Sequence, residues 1–98
     1  MVIIAKTLIN VFAHKHPLSK AALNNWYQIV KEADWGNFNA IRNTFPSVDA
    51  VGNDRYVFNI KGNNYRIITM IFFDKRTVYI RFIGTHAEYD KLKNCSTV

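Results

Sequence analysis

Apolar and polar positions follow a helical period in the first half of the chain and a strand period in the second. Val2 to Ile4 is a short β-branched run that predicts a first strand. Lys6 to Lys15 repeats apolar side chains at helical spacing, and Pro17 ends that helix. Ser19 to Ala33 repeats the pattern over a longer stretch, with Ser19 as the predicted N-cap. The chain therefore opens with one strand and two helices.

The third predicted helix is short. Asn37 is a favourable N-cap residue, Phe38 and Ile41 follow at helical spacing, and Pro46 closes the segment. Residues 47–54 contain a Gly-Asn turn signal, so we expect a loop there. The helical part of the chain ends with this loop.

Arg55 to Thr85 alternates with period two, which predicts two β-hairpins. The first hairpin is predicted to turn at 61–64, where glycine and asparagine tolerate a positive φ. Asn59 then faces Arg66 across the hairpin. These two polar side chains are expected on the same face of the sheet.

The second hairpin is predicted to turn at Lys75-Arg76, which places Met70 opposite Arg81 and Phe73 opposite Val78. One face of the sheet is then almost wholly apolar and must pack on the helices. Its members are Tyr56, Phe58, Ile60, Tyr65, Ile67, Thr69, Ile71, Phe73, Val78, Ile80 and Phe82. The other face is mixed and holds Val57, Asn59, Arg66, Ile68, Met70, Phe72, Tyr79, Arg81 and Ile83.

The order of the elements predicts an α+β fold, in which N-terminal helices pack on a mostly antiparallel sheet and a short helix closes the chain. Ninety-eight residues are enough for one hydrophobic core and too few for two. We expect residues 1–98 to form a single domain.

The closing helix begins with a capping-box pattern, Thr85-His86-Ala87-Glu88. His86 is then the first helical residue, and Tyr89 and Asp90 lie on its side of the helix. The helix dipole favours a neutral imidazole, whereas Asp90 favours a protonated one, so the sequence leaves the charge of His86 open.

Positive charge is concentrated in the strand region. The net charge is +6, of which residues 1–54 supply +1 and residues 55–98 supply +5. Such a distribution favours a polyanion or an acidic protein as partner. The chain has one cysteine, Cys95, and no apolar stretch of membrane-spanning length, so we expect a soluble, cytoplasmic protein without disulfides. The two histidines at His14 and His16 lack carboxylate or cysteine companions and predict no metal site.

Cations grouped near a histidine suit a phosphodiester substrate. A neutral His86 can act as general base on a ribose 2′-hydroxyl, and Arg66 and Arg81 can neutralise the charge that builds on phosphorus. Two simpler interpretations stay open. The arginines can serve only to keep an exposed sheet face soluble, and a histidine at a helix start can be incidental.

The run from Phe45 to Asp90 resembles the HigB toxins of the RelE-like superfamily of mRNA interferases. The segments that carry the resemblance are FPSVD, YVFNIKGNNYRI, VYIRF and THAEYD, in this order and spacing. The resemblance implies a toxin of a type II toxin–antitoxin pair that enters the ribosomal A site and cuts mRNA without metal or cofactor. It also implies a HigA-type antitoxin, a DNA-binding protein through which the complex represses its own operon.

The resemblance also suggests roles for individual residues. Arg66 matches the arginine that steadies the scissile phosphate, and His86 and Tyr89 fall where relatives place acid–base or stacking residues. Lys61 matches a zone of basic residues that contact RNA, and we include Asn59 and Asn64 with it. Better-known members of the superfamily have lysine and arginine at the positions of Asn59 and His86, so the sequence does not say which residue is the base.

The sequence leaves two rival functions open. The first is a non-enzymatic module whose basic sheet binds RNA or an acidic partner without cutting. The second is a degenerate family member that keeps antitoxin binding and has lost catalysis. Cuts within codons of a translated message would separate the enzyme from both rivals.

Overall fold

Five strands form one sheet in the order β1-β5-β4-β3-β2, as seen in a computed structural model that describes all residues from Met1 to Val98. β1 runs parallel to β5, and the other neighbours are antiparallel. The strands are β1 (Val2–Ile4), β2 (Asp49–Gly52), β3 (Arg55–Ile60), β4 (Tyr65–Phe72) and β5 (Thr77–Thr85).

The helices are α1 (Lys6–Lys15), α2 (Lys20–Glu32), α3 (Phe38–Thr44) and α4 (His86–Asp90), with short 3₁₀ turns at Pro17–Ser19 and Cys95–Thr97. The predicted α+β class is confirmed. Asn37 caps α3 as predicted, because its side-chain oxygen accepts from the Ala40 amide at 2.9 Å. Ser19 occupies the N-cap position of α2 as predicted, but its side chain makes no capping bond to the helix. It is also the last residue of the preceding 3₁₀ turn, and its hydroxyl donates to the His16 carbonyl at 2.7 Å.

One apolar cluster joins the helices to one face of the sheet. Trp26 of α2 meets Phe58 of β3 edge to face, with ring centroids 5.4 Å apart, and both are almost fully buried. Side chains of this size each contribute about 1.5–3 kcal/mol when buried. The buried members of the cluster are Ile9, Phe12, Ala13, Leu23, Trp26, Val30, Trp35, Ile41, Val48, Phe58, Ile60, Ile67, Ile71, Val78 and Ile80.

The predicted register of the first hairpin is confirmed, since Asn59 pairs with Arg66 and Ile60 pairs with Tyr65. The predicted register of the second hairpin is wrong. Met70 faces Tyr79, not Arg81, because the connection is a four-residue loop, 73–76, and not a two-residue turn. Arg76 adopts a positive φ of 51° in this loop, which the sequence pattern did not indicate.

A β-bulge in β5 changes which side chains reach the core. The register shifts between the pairs Thr69–Ile80 and Ile68–Phe82, so that Arg81 is the extra residue. Ile83 therefore packs against the core cluster and Phe82 does not, the reverse of the prediction. From here on we call the face away from the helices the outer face.

Residues 47–54 are not simply a loop. Asp49–Gly52 forms β2, an edge strand that pairs with β3 through Asp49–Val57 and Ala50–Tyr56. Val48 is buried and anchors the segment that leads into the strand. The prediction failed here because four residues with a glycine carry little strand signal. No helix of the molecule combines the length and the apolar character required to cross a membrane.

Candidate active site

A cleft opens where the outer face of the sheet meets α4. Its volume is about 290 Å³. β2, β3, β4 and α4 each supply part of its wall, and the lining residues are Ser47, Val48, Asp49, Val57, Asn59, Arg66 and Tyr89. Three of the residues predicted from the sequence, Asn59, Arg66 and Tyr89, are thus brought together.

Arg66 is the cation of this cleft. Strand pairing places it beside Asn59 on one side and opposite Gly84 on the other. Its guanidinium lies 5.3 Å from the centre of the Tyr89 ring, a cation–π contact that fixes the side chain. Its one hydrogen bond, from Nη1 to the Asn63 side-chain oxygen, is 3.3 Å long, and no carboxylate lies within 4 Å of its nitrogens. The positive charge of Arg66 is therefore available to an anion.

Tyr89 closes the cleft from α4. Burial raises the pKa of its phenol to about 12, and a hydrogen bond with Cys95 acts in the same direction, while the nearby charge of Arg66 opposes it. At neutral pH the phenol is therefore protonated. Tyr89 can donate a proton or a hydrogen bond, or stack on a base, but it is not a base itself.

His86 lies at the start of α4, and its orientation is fixed. The predicted capping box is present, with the Glu88 amide 3.2 Å from the Thr85 hydroxyl and the Thr85 amide 2.8 Å from the Glu88 carboxylate. The His86 Nδ1 atom lies 2.9 Å from Asp90 Oδ2, one turn further along. Because Nδ1 is engaged by a carboxylate, Nε2 is the nitrogen left to exchange a proton.

The hairpin turn between β3 and β4 is tied to this helix. The His86 amide donates to the Asn64 carbonyl at 3.0 Å, which holds the turn against the start of α4. Lys61, in the same turn, has a positive φ of 52°, and its Nζ lies 3.3 Å from the Leu18 carbonyl. Asn64 and Lys61 thus lie at the end of the sheet near His86 and do not line the cleft.

Arg81 lies outside the cleft. Its Nε donates to the Val98 carbonyl oxygen at 3.2 Å, and its side chain is exposed on the outer face. The sequence prediction placed Arg81 opposite Met70 on the face that holds Arg66. In the structure Arg81 is instead the bulged residue between the pairs Ile68–Phe82 and Thr69–Ile80, and it does not line the cleft.

Four residues that line the cleft, Ser47, Val48, Asp49 and Val57, were not predicted as site residues, and neither was Cys95. Ser47 and Asp49 line the cleft, although both lie in the FPSVD segment, and Cys95 reaches Tyr89 from the 3₁₀ turn that follows α4. No local signal placed Asp49 beside β3, because residues 49–52 carry little strand signal of their own. Nothing in the sequence indicated that residue 95 lies near Tyr89.

A larger depression exists elsewhere. It measures about 390 Å³ and lies between α1 and α2, where Asn10, His14, Lys20 and Asn24 supply its polar groups. We favour the smaller cleft as the functional site, because only there do a guanidinium, a phenol with a shifted pKa and an amide side chain converge. No group of three histidine, cysteine, aspartate or glutamate side chains comes together that could hold a metal ion.

The fold and the cleft define a small basic α+β protein whose sheet presents a cleft lined by an arginine beside a helix that carries a histidine. The chain belongs to the HigB toxin family, because the sequence model of that family matches residues 19–92. The family is described as the RelE-like toxic component of a toxin–antitoxin system. The family description confirms the resemblance seen in the sequence.

Curated relatives agree with this assignment over most of the chain. An mRNA interferase HigB from Escherichia coli O6:H1 strain CFT073 is 37% identical over 94 residues, which cover 94% of this chain and 91% of the relative. The mRNA interferase toxin HigB of Escherichia coli K12 is 32% identical over 92 residues, which cover 92% of this chain and 88% of the relative. A protein of Shigella flexneri, also named mRNA interferase HigB, shows the same 32% identity.

Proposed function

We propose that this toxin is a metal-independent endoribonuclease that cuts mRNA on the ribosome and so stops translation. The observation that supports this most strongly is Arg66, an arginine without a carboxylate partner, held over Tyr89 in a cleft that α4, the helix of His86, helps to form. A guanidinium in that position suits a phosphodiester, whose oxygens match its planar fork. The names of the relatives, which describe mRNA interferases, point to the same substrate.

The proposed reaction is a transesterification within the RNA. The ribose 2′-oxygen attacks the adjacent phosphorus while Nε2 of His86 takes its proton, with Nδ1 held by Asp90. Arg66 neutralises the charge that develops on the phosphoryl oxygens. Tyr89, protonated because its pKa is about 12, donates to the departing 5′-oxygen. The products are a 2′,3′-cyclic phosphate and a free 5′-hydroxyl, so no cofactor is required.

The remaining predicted residues are proposed to bind RNA around the cleft. Asn59 offers an amide to the substrate from inside the cleft, and Lys61 and Asn64 extend the contact at the hairpin turn. Arg81 adds positive potential on the same outer face. In this account the catalytic group consists of Arg66, His86 and Tyr89.

The proposed partners follow from the family. A toxin of this class is neutralised by its antitoxin, for which we propose a HigA-type protein, and contact with operator DNA would occur only through that complex. We propose the ribosomal A site as the place of cleavage, in the cytoplasm, with ribosomal RNA as a further contact.

Growth arrest on induced expression tests this proposal. We expect Arg66→Ala and His86→Ala to relieve the arrest, while co-expression of the antitoxin relieves it for the unaltered toxin. Both variants should keep the circular dichroism spectrum and the melting transition of the folded protein, because neither side chain belongs to the core. If both folded variants arrest growth as strongly as the unaltered chain, the assignment of the catalytic group is wrong.

A further inference from the structure

The apolar side chains that α1 leaves exposed lie on one side of the helix. Leu8 is 43% exposed and Val11, three residues later, is 51% exposed. Phe12 and Lys15 follow at four and seven residues from Leu8, so all four side chains lie on the same side of α1. Scattered apolar side chains are ordinary on a protein surface, whereas a contiguous group marks an interaction site.

This side of α1 lines a groove with a volume of about 210 Å³. The other lining residues are His16, which follows α1, Ile83 of β5 and Glu88 of α4. We call this feature the α1 groove. It shares no lining residue with the cleft of Arg66, because it lies on the helical side of the sheet, whereas the cleft lies on the outer face.

The polar groups of the α1 groove are held in place by their neighbours. The His16 ring stacks on the Phe12 ring, with centroids 4.4 Å apart, and meets the Tyr65 ring at an angle, with centroids 6.1 Å apart. The Glu88 carboxylate accepts from the Thr85 amide at 2.8 Å. A preformed groove binds a partner at a lower cost in side-chain entropy than one that must be ordered first.

The elements that form the α1 groove carry unpaired positive charge. Residues 1–31, which include α1, contain four lysines and no acidic residue. No carboxylate lies within 4 Å of Lys15 Nζ, since both ion pairs of the molecule lie elsewhere. The one carboxylate of the groove, Glu88, already accepts from a backbone amide. An acidic side chain of a partner would therefore meet a free ammonium group beside an apolar wall.

Two other occupants suit the α1 groove less well. A second copy of this chain brings the same lysines, so a two-fold contact would set like charges against one another. An RNA phosphate suits Lys15, but nucleic-acid interfaces are polar and strongly cationic, and Leu8, Val11 and Ile83 offer an RNA no such groups. An amphipathic protein segment with acidic residues matches both the apolar lining and the charge.

We propose that the α1 groove is a docking site for the antitoxin. It would receive an amphipathic segment whose apolar side chains contact Leu8, Val11 and Ile83 and whose carboxylate lies beside Lys15. The proposal rests on the antitoxin partner of the proposed function, and it does not depend on the cleavage chemistry. A groove of about 210 Å³ holds only a few side chains, whereas a stable interface buries roughly 800 Å² on each partner, so the groove would anchor a larger contact.

Titration calorimetry of the purified toxin with the antitoxin encoded beside it tests the docking site. Val11→Asp places a charge against the apolar part of the partner, and we expect binding to weaken by about 30-fold or more, as for a residue at the centre of an interface. Val2→Asp is the matched control, because Val2 is 58% exposed and lies on β1, outside the groove. This control should keep the affinity, and both variants should keep the melting transition of the folded protein.

A charge reversal tests the acidic character of the occupant. Lys15→Glu should weaken antitoxin binding by about three- to tenfold at low salt, because an attraction is replaced by a repulsion. The loss should shrink at high salt, which screens exposed charges. The control Lys31→Glu makes the same change at the end of α2, outside the groove, and should keep the affinity. If Lys15→Glu tightens the complex, the occupant is not acidic and the proposal is overturned.

The possible outcomes separate the docking site from the proposed function. In cells, Val11→Asp should still arrest growth, but co-expressed antitoxin should no longer relieve the arrest. If the antitoxin binds Val11→Asp as tightly as the unaltered toxin, the docking site is disproved and the proposed function stands. If the antitoxin does not bind the unaltered toxin, the antitoxin assignment and the docking site fall together.

Two further results would assign the α1 groove to another occupant. If Val11→Asp keeps its affinity for the antitoxin and loses binding to purified ribosomes, the groove receives RNA. If the free toxin sediments as a dimer that Val11→Asp dissociates, a second copy of the chain occupies the groove. Either result overturns the proposal.

Discussion

Replacing Arg66 by alanine should abolish most of the activity at little cost in stability. The side chain makes one cation–π contact and one long, exposed hydrogen bond. The first is worth about 0.5–1 kcal/mol at an exposed site, and the second contributes little at 3.3 Å. The free energy of unfolding should therefore fall by about 1 kcal/mol, which lowers the melting temperature of a domain of this size by roughly 4–8 °C.

The effect on cleavage should be much larger. Removal of one preorganised donor to a developing oxyanion typically costs about 10²–10³ in rate, or roughly 2.7–4 kcal/mol. We expect a loss of this size in single-turnover cleavage of a defined message on programmed ribosomes. The cleavage rate of Arg66→Lys should lie between the rates of the unaltered toxin and of Arg66→Ala, because lysine keeps the positive charge but lacks the planar guanidinium.

Arg42 supplies a matched control. Its guanidinium lies 5.8 Å from the centre of the Phe38 ring, a cation–π contact like that of Arg66, but it lies on α3 and not in the cleft. Arg42→Ala should cost similar stability and leave cleavage unchanged. If Arg66→Ala slows cleavage no more than Arg42→Ala does, Arg66 does not stabilise the transition state and the proposed chemistry is refuted.

Two further predictions concern titration and packing. The Tyr89 phenol should ionise near pH 12 by NMR, and Cys95→Ala should lower its pKa towards 10; an unchanged pKa in that variant would exclude the hydrogen bond as a cause. Because the unfolded phenol ionises near pH 10, the contribution of Tyr89 to stability should be intact below that pH and lost between about pH 10 and 12. Gly84→Ala should destabilise the fold by about 1–3 kcal/mol in urea, since a Cβ there would clash with the Phe82 ring. Gly36→Ala, whose Cβ would meet its nearest neighbour at 3.6 Å, is the control, and equal losses in the two variants would contradict the packing account.

Local sequence signals predicted the elements they control directly. The cap at Asn37, the capping box at Thr85 and the first hairpin are all set by residues within a few positions of one another, and all three are as predicted. The resemblance of the segments from Phe45 to Asp90 led to the correct family.

Features set by distant contacts were missed. The bulge at Arg81 turns Ile83 toward the core and Phe82 toward the outer face. The alternation of apolar and polar residues does not indicate where a bulge occurs. β2 exists because its edge pairs with β3, although its own four residues resemble a turn. The position of Cys95 near Tyr89 depends on where the chain runs after α4, which local propensity does not determine.

We propose that this toxin cuts mRNA while the message is being translated. Primer extension on a message incubated with ribosomes and toxin measures this cleavage. We expect discrete cuts within codons that end in a 2′,3′-cyclic phosphate, that disappear when initiation is blocked, and that are absent with Arg66→Ala. An intact message bound by the folded toxin during active translation would contradict it, and would show that the protein binds RNA without cleaving it.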